Sequence, residues 1–481
     1  MDFIKQAEEM MVEMTKIEQQ VSYSYLKINA DTHTPISIFQ RLHGTKKMLL
    51  ESSFKHEKKG RYSYIACSPY KELVGHNDTT VIKQENSPDE EVSQEALTYL
   101  KENLPNLKAN LPVPFQGGAV GYIAYDAIRQ FETIGGPLND ELEMPDIHLM
   151  LYKTIIAFDH RNEEIYLIAM NPDQESEYVL NARLEDLRKF LSGPFQDLGI
   201  DQQTINFQPE ISQDNFEEKV RIAKQHIEQG DIFQVVLSQR MKATINGDPF
   251  SFYRKLRKAN PSPYMFYIDF SEYVLLGASP ESLIQTSGNE ILTNPIAGTR
   301  PRGTTTEEDQ ELMEDLLRDE KEIAEHRMLL DLGRNDLGRV CEIGSITLPT
   351  FMKVEKYQHV MHIVSEVKGT LKQDLSSIDA LISCLPAGTV SGAPKIRAMQ
   401  IINQLEETKR GVYAGGVGYI GFNQDMNIAL AIRSLVVKNE VAYLQTGAGI
   451  VHDSIPENEY AETLNKAKSL MEVANIDLVT G

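Results

Sequence analysis

Residues 319–336 read DEKEIAEHRMLLDLGRND, and most of them belong to a predicted helical segment, residues 307–332. Apolar runs typical of strands lie on both sides of that segment, including Tyr273–Leu276 and Val412–Ile420. A second helical segment is predicted at residues 457–475. These segments indicate an α+β fold in which helices flank large β-sheets.

The region around these segments contains further predicted elements. It begins with a helix for which Asp214 is the expected N-cap, with Glu217 reaching back to it and Gly230 ending it. Further strands are predicted at Phe233–Leu237, Ile428–Val437 and Val441–Gln445.

The first part of the chain has a different pattern. Short apolar runs separated by turn residues extend over residues 37–170, as expected of an antiparallel sheet. A predicted helix at Tyr178–Leu191 follows, and the polar segment 193–213 is the expected connection. We therefore divide the chain into an N-terminal β-rich region, residues 1–200, and a larger domain, residues 201–481.

The charge of the chain excludes some function classes. Its 481 residues include 48 Lys and Arg against 70 Asp and Glu, a formal net charge of -22 that repels nucleic acid and anionic lipid. The N-terminus, Met1–Lys5, has no export signal pattern, and no stretch reaches the roughly 18 apolar residues of a membrane span. We expect neither nucleic acid nor a membrane as partner.

The three cysteines, Cys67, Cys341 and Cys384, are scattered and lack the spacing of a disulfide framework or a zinc site. A reducing environment fits this pattern, so we expect a cytoplasmic protein.

The two predicted helices carry acidic side chains three and four residues apart, which places them on one helix face. These faces contain Glu322, Glu325 and His326 in the first helix, and Glu459, Glu462 and Lys466 in the second. If the faces meet in a cleft, they offer the hard oxygen ligands that suit Mg2+. The alternative is that both are solvated faces with ordinary ion pairs.

Two polar residues interrupt apolar strand-like runs. Arg433 lies in the run 427–437, where an unpaired guanidinium would cost several kcal/mol, so it should face an anion. Gln234 in Phe233–Leu237 raises the same question for a neutral amide. Either side chain could contact a ligand or be satisfied within the core.

Three glycine-containing segments allow backbone N–H groups to approach an anion closely. They are PIAGT at 295–299, PAGTVSGAPK at 386–395 and QTGAGI at 445–450. Each is compatible with an ordinary tight turn, and none has the spacing of a phosphate-binding loop or a dinucleotide fingerprint. Nucleotide binding is therefore not supported.

Six ordered segments together carry a specific resemblance. They are FQV at 233–235, SPES at 279–282, PIAGTRPRG at 295–303, the helix at 319–336, PAGTVSGAPK at 386–395 and IPENEYAETLNKA at 455–467. On these segments the chain from about Asp214 to Asp477 resembles the chorismate-utilising enzymes, which form anthranilate, aminodeoxychorismate, isochorismate or salicylate. The resemblance implies their α+β fold and an Mg2+ cofactor.

The resemblance also implies roles for individual residues. Glu325 and Glu459 would bind Mg2+ with support from Glu322 and Glu462. Lys466 and the backbone at Gly447, Ala448 and Gly449 would hold the ring carboxylate of chorismate, and Tyr413 and Arg433 its enolpyruvyl carboxylate; Gly298 and Thr389 are further substrate-binding candidates. The catalytic candidates are Glu281 and His326 for proton transfer, Thr299 beside the ring, and Gln234.

Two positions distinguish the branches of the family. Members that use water have a lysine where this chain has Gln234, so the neutral amide favours ammonia as the nucleophile. Aminodeoxychorismate-forming members usually have a lysine where this chain has Ala297, so direct amination at C2, followed by loss of pyruvate to give anthranilate, is expected. The alternatives are aminodeoxychorismate synthase component I in folate synthesis and a non-catalytic sensor.

Two partners follow from the resemblance. None of the cysteines lies in a Gly-x-Cys-x-Gly glutaminase motif, so a separate glutaminase subunit is expected to supply the ammonia. The segments LLES at 49–52 and NPSPYM at 260–265 resemble the site at which tryptophan binds to anthranilate-forming members of the family. Tryptophan bound there inhibits anthranilate formation, the step that leads to tryptophan biosynthesis. The expected inhibitor contacts are Leu50, Glu51, Ser52, Pro263, Tyr264 and Met265.

Overall fold

The structure is a computed structural model that describes residues 21–52, 60–85, 87–194, 197, 199, 205–357 and 360–474. The strands are β1 (Tyr23–Asn29), β2 (Met48–Glu51), β3 (Tyr62–Ala66), β4 (Lys71–His76), β5 (Thr79–Gln84), β6 (Glu90–Val92), β7 (Gly118–Ile123), β8 (Ile147–Tyr152), β9 (Thr154–Asp159), β10 (Glu164–Met170), β11 (Gln208–Pro209), β12 (Gln234–Thr244), β13 (Tyr264–Asp269), β14 (Tyr273–Ser279), β15 (Ser282–Ser287), β16 (Glu290–Thr293), β17 (Ile296–Pro301), β18 (Thr347–Lys356), β19 (Val360–Thr370), β20 (Gly392–Ala393), β21 (Gly416–Gly421), β22 (Met426–Leu430), β23 (Ser434–Lys438) and β24 (Val441–Ile450).

The α-helices of the described residues are α1 (Pro35–Arg41), α2 (Ala96–Asn103), α3 (Glu177–Ser192), α4 (Gln213–Glu228), α5 (Pro249–Ala259), α6 (Thr306–Arg318), α7 (Glu320–Val340), α8 (Ser377–Cys384), α9 (Lys395–Leu405) and α10 (Pro456–Ala474). Tyr125–Gln130 and Gly388–Val390 form short 3-10 turns. None of the helices within the described ranges has the length and apolar character needed to cross a membrane.

The strands form two twelve-stranded antiparallel sheets. The first has the order β1-β10-β9-β3-β2-β13-β14-β23-β24-β12-β11, with β20 beside β12; the second has the order β17-β19-β16-β15-β22-β21-β7-β8-β4-β5-β6, with β18 beside β19. The predicted α+β fold with large sheets is confirmed. Strands from residues 1–200 and 201–481 pair within each sheet, so the two regions share their sheets.

The main core lies between the two sheets. Its largest cluster combines side chains of the first sheet, such as Ile168 and Phe266, with side chains of the second, such as Tyr122 and Leu149. A second cluster packs helices α3, α5 and α10 on the outer face of the first sheet. Burial on both faces explains why several strands read as continuous apolar runs.

The predicted helix at residues 307–332 is two helices, α6 and α7. Asp319 ends the first and caps the second, because its carboxylate accepts hydrogen bonds from the N–H groups of Lys321 at 3.0 Å and Glu322 at 3.3 Å. The cap fixes the beginning of α7, the helix that carries Glu322, Glu325 and His326.

The predicted single strand at Ile428–Val437 is wrong. The run contains β22 in the second sheet and β23 in the first, and the chain crosses between the sheets at Ala431–Arg433. Arg433 therefore precedes a strand rather than lying within one, and it has a left-handed backbone with φ of 52°. Apolar character continues through the crossing because Leu430, Ala431 and Leu435 are all buried.

Two predicted local features also differ. Ser212, rather than Asp214, caps α4, since its hydroxyl accepts from the Asn215 N–H at 3.3 Å and Asp214 lies in the first turn. The strand predicted from Phe233 begins at Gln234, and the Phe233 side chain is 73% exposed.

Candidate active site

Helix α7 presents two carboxylates toward β12 and β17. Gln234 Nε2 donates a hydrogen bond to Glu325 Oε1 over 3.1 Å, and Arg300 lies 3.5 Å from Glu322 Oε1. Burial, followed by the nearby charge of Glu325, raises the pKa of Glu322. The environment of this acidic pair therefore favours an added positive charge.

Helix α10 presents the second pair of carboxylates. Burial raises the pKa of Glu459, and the charge of Glu462 acts in the same direction. Lys466 Nζ lies 2.7 Å from Glu462 Oε1 and donates to the Gly447 carbonyl oxygen over 2.9 Å. These contacts attach the acidic face of α10 to the glycine segment of β24.

The carboxylates of α7 and α10 are the candidates for a metal site. Within the described part of the chain, no three or more His, Cys, Asp or Glu side chains are gathered closely enough to hold an ion. Mg2+ commonly takes only one or two protein carboxylates and keeps several waters. Burial raises the carboxyl pKa values of Glu322 and Glu459, and these two side chains with their neighbours Glu325 and Glu462 are hard-oxygen donors that fit this ion.

Arg433, Lys466 and Tyr413 lie together beside Gly447, which belongs to β24 of the first sheet. Arg433 donates to the Lys466 carbonyl oxygen over 2.8 Å, and burial lowers the pKa of its guanidinium. A Cβ atom on Gly447 would lie 2.7 Å from Tyr413 Oη, so glycine permits this close approach. Ala448, between the two glycines, has its side chain buried in the core and lies opposite Leu237 in the pairing of β24 with β12.

Gln234 and Gly449 are neighbours across β12 and β24. A Cβ atom on Gly449 would lie 2.6 Å from Gln234 Nε2. The Gln234 side chain is 3% exposed, and its Oε1 atom has no hydrogen-bond partner among the described residues. A buried amide with an unused acceptor is suited to bind a ligand that carries an N–H or O–H group.

Gly298 and Thr299 lie in a bulge of β17, where the pairing with β19 shifts register. Gly298 has φ of 68°, and a Cβ atom there would approach Glu322 Oε2 to 3.2 Å. Thr299 Oγ1 lies 3.1 Å from His362 Nδ1, which also lies 2.9 Å from the Gly298 carbonyl oxygen. The bulge therefore joins the α7 carboxylates to a histidine of β19.

His362 was not predicted from the sequence, because a single histidine in a strand is ordinary. Burial lowers its pKa, and the charge of Arg433 acts in the same direction. A carbonyl oxygen only accepts hydrogen bonds, so Nδ1 carries the proton and the neutral ring has its free lone pair on Nε2.

Glu281 lies between β14 and β15, two residues after Ser279, and is 7% exposed. Burial raises its carboxyl pKa to about 8, while a hydrogen bond from Thr389 Oγ1 to Glu281 Oε1, 2.9 Å long, opposes that shift. The structure thus brings two predicted site residues from distant segments together, and it keeps the carboxyl group largely protonated near neutral pH.

His326 has a different environment from the other proton-transfer candidate. It is fully buried, its Nε2 lies 2.7 Å from Ser365 Oγ of β19, and burial lowers its pKa to about 4. Among the described residues its Nδ1 atom has no hydrogen-bond partner. Its observed contact joins α7 to the second sheet, and its catalytic role stays a prediction.

Arg410 is a second residue that the sequence analysis missed. This buried guanidinium donates to the carbonyl oxygens of Val390 and Val236, each over 2.7 Å, and pairs with Glu406. It therefore ties the turn that carries Thr389 to the strand that begins at Gln234. Its sequence context, a Lys-Arg pair in a polar segment, gives no signal of this role.

A separate cavity of about 330 Å³ lies between β2, β13, β15 and the adjoining strands of the second sheet. All six predicted inhibitor contacts line it: Leu50, Glu51, Ser52, Pro263, Tyr264 and Met265. The Glu51 carboxylate accepts from the Tyr253 hydroxyl at 2.7 Å and Arg257 Nε at 2.8 Å. The two segments meet because β2 and β13 pair, with Glu51 opposite Met265.

Comparison with known proteins places these features in context. Residues 46–472 match the family described as chorismate binding enzyme. Anthranilate synthase component 1 of Lactococcus lactis subsp. lactis is 46% identical over 452 residues, covering 93% of this chain and 98% of that protein. Anthranilate synthase component 1 of Acetivibrio thermocellus is 42% identical over 462 residues, covering 93% and 94%.

Solved structures show the same likeness. A crystal structure of anthranilate synthase component I from Streptococcus pneumoniae has a TM-score of 0.81 at 42% identity, covering 92% of this chain and 99% of that one. The menaquinone-specific isochorismate synthase of Escherichia coli has a TM-score of 0.71 at 19% identity, covering 98% and 100%, which is a likeness of fold alone.

Proposed function

The chain belongs to the chorismate binding enzyme family, and on this premise we propose that it is the lyase component that converts chorismate and ammonia into anthranilate and pyruvate, in tryptophan biosynthesis. The sequence-based resemblance to anthranilate synthase component I is confirmed by relatives 46% and 42% identical. The observation that carries the choice of ammonia is the neutral, buried amide of Gln234 beside Glu325.

The substrate carboxylates are assigned to two groups of residues. Arg433 and Tyr413 bind the enolpyruvyl carboxylate, and Lys466 with the Gly447–Gly449 backbone binds the ring carboxylate. The contacts among Arg433, Lys466 and Gly447 support this assignment, since they place two cations and a glycine backbone in one region. Cationic and N–H donors of this kind recognise carboxylates.

Mg2+ would be held by Glu325 and Glu459, with Glu322 and Glu462 in support. When bound, the ion would supply Lewis-acid stabilisation and orientation for the ring carboxylate of chorismate. The raised pKa values of Glu322 and Glu459 support the assignment, because a nearby cation would relieve the repulsion within each acidic pair.

The chain's own residues provide the proton transfers. Attack of ammonia at C2 expels the C4 hydroxyl, a poor leaving group, and Glu281 donates the proton that converts it to water. Gln234 Oε1 accepts a hydrogen bond from the incoming ammonia. The ammonium group formed at C2 returns one proton to the ionised Glu281. His362 Nε2, whose ring is oriented by the Nδ1–H bond to the Gly298 carbonyl oxygen, then accepts the C2 proton. That proton passes to the departing enolpyruvate, which becomes pyruvate.

Ammonia is assigned to a separate glutaminase subunit. A glutaminase nucleophile must be a reactive thiolate, whereas burial raises the thiol pKa of each cysteine in this chain. These free cysteines also support a cytoplasmic location. The cavity lined by Leu50, Ser52 and Tyr264 is assigned to tryptophan as a feedback inhibitor, since its volume of about 330 Å³ is of the size of a small-ligand site.

The alternative, aminodeoxychorismate synthase component I in folate synthesis, is less well supported because Ala297 offers no amine for covalent attack. The test is to incubate the purified chain with chorismate, Mg2+ and ammonium and to identify products by mass. Anthranilate and pyruvate are expected, whereas aminodeoxychorismate as the end product would assign the chain to the folate branch. Glutamine should not replace ammonium until a glutaminase subunit is added.

A further inference from the structure

The Thr389 hydroxyl lies 2.9 Å from Glu281 Oε1 and can donate a hydrogen bond to that oxygen. A protonated carboxyl group has one hydroxyl oxygen and one accepting carbonyl oxygen. With Oε1 occupied as the acceptor, the carboxyl proton is left on Oε2.

We propose that Thr389 is a positioning residue that fixes the transferable proton of Glu281 on Oε2. This inference rests on the proposed function, in which Glu281 protonates the leaving C4 hydroxyl. Without the Thr389 donor, the carboxyl proton of Glu281 can lie on either oxygen. Only the form with the proton on Oε2 can then donate it to the C4 hydroxyl. The resemblance alone assigns Thr389 to substrate binding and gives it no role toward Glu281.

Both partners of this hydrogen bond are held by their backbones. Thr389 lies in the turn Gly388–Val390, where a Cβ atom on Gly388 would come within 2.6 Å of Leu332 in α7. Arg410 secures the other side of the turn through the Val390 carbonyl oxygen. The Glu281 carbonyl oxygen accepts from the Leu430 N–H over 3.0 Å. The bond therefore joins two fixed elements.

The surroundings of Glu281 contribute little competing charge. Among the described residues, Tyr357, which follows β18, is a titratable side chain that interacts electrostatically with Glu281. Burial raises the pKa of the Tyr357 phenol, so it is neutral over the working pH range. The ionisation of Glu281 is thus governed by its burial and by Thr389.

The test compares Thr389→Val, which removes the donor, with Thr389→Ser, which keeps it. The measurement is the pH profile of kcat at saturating chorismate, Mg2+ and ammonia. Because the Thr389 donor lowers the Glu281 pKa, Thr389→Val should move the alkaline fall of kcat to higher pH and lower the plateau about tenfold or more. Thr389→Ser should restore both, and KM for chorismate should change little.

Thr389→Ala provides a second variant if the valine variant folds poorly, and it should show the same shift. An unmoved alkaline fall in a folded Val or Ala variant, or a change confined to KM, would overturn the positioning role. Those results are distinct from failure of the proposed function, which would appear as wild-type protein that forms no anthranilate from ammonium.

Discussion

Tyr264 and Ser279 lie directly opposite each other in the antiparallel pair β13 and β14. Tyr264 lines the proposed inhibitor cavity, and Ser279 lies two residues before Glu281. Ala429 lines the same cavity, and the N–H of the next residue, Leu430, binds the Glu281 carbonyl oxygen. A ligand that moves the cavity wall therefore acts on two strands that also hold Glu281, which gives inhibition a physical route.

Replacement of Ser52 by arginine should relieve tryptophan inhibition while sparing catalysis. Ser52 lines the cavity of about 330 Å³, which a long charged side chain would largely fill. We expect the inhibitory tryptophan concentration to rise about tenfold or more. Activity with ammonium would be titrated with tryptophan, with the exposed Ser192→Arg as control. Equal sensitivity of wild type and Ser52→Arg would remove Ser52 from the site.

Asn427 should determine which aromatic amino acid the cavity accepts. Its Oδ1 atom is buried without a hydrogen-bond partner in the described part of the chain, and Asn427 lines the cavity beside Gln285. This acceptor suits an indole N–H, so Asn427→Leu should weaken tryptophan binding about tenfold. Calorimetry should also show that the variant no longer prefers tryptophan over its benzothiophene analogue. A preference equal to that of wild type would contradict this contact.

Glu281 should act as an acid and impose an alkaline limit on kcat. Its carboxyl pKa is raised to about 8 by burial, so the protonated form is present below that pH and is lost above it. At saturating ammonia, wild-type kcat should fall as pH rises through about 8. Glu281→Gln should lower kcat about 100-fold or more, whereas the exposed Glu290→Gln should not. A flat wild-type profile would argue against Glu281 as the acid.

Removal of Mg2+ should abolish activity, and the acidic pairs should account for its binding. Because a ligand that binds only the folded state stabilises it, Mg2+ at about 100 times its Kd should add about 2.7 kcal/mol. Calorimetric unfolding should show this increase in the wild type and in the exposed Glu311→Gln, and lose it in Glu325→Gln and Glu459→Gln. If both of these variants kept the full Mg2+ shift, the proposed ligands would be incorrect.

Arg410 should be essential for stability as well as for the site. Its guanidinium is buried against Glu406, so Arg410→Ala leaves an uncompensated carboxylate and two unpaired carbonyl oxygens. We expect a loss of about 3–5 kcal/mol in the free energy of unfolding, measured with urea. The exposed pair of Arg339 with Glu132 is the control, for which Arg339→Ala should cost less than about 1 kcal/mol. Similar losses in both variants would contradict the role of Arg410.

Local sequence patterns predicted those elements that are recognised from residues close together in the chain. Residues three and four apart placed Glu322 and Glu325 on a helix that the structure contains as α7. The helix predicted at Tyr178–Leu191 is α3, Glu177–Ser192. These predictions succeeded because helical periodicity depends on neighbouring residues alone.

Features that depend on contacts between residues far apart in the sequence could not be predicted from local patterns. An apolar run does not reveal that β22 and β23 belong to different sheets, because both strands are buried and no charge marks the crossing before Arg433. His362 and Arg410 acquire their significance from Gly298, Val236 and Val390, which lie far from them in sequence. Their roles emerge only when the sheets are assembled.

The most direct test of the central claim is incorporation of isotopically labelled ammonium by the purified chain alone, with chorismate and Mg2+. The proposal predicts labelled anthranilate together with an equal amount of pyruvate, and loss of both products when EDTA is added. Labelled aminodeoxychorismate without pyruvate, or no labelled product from a folded chain supplied with Mg2+, would contradict it.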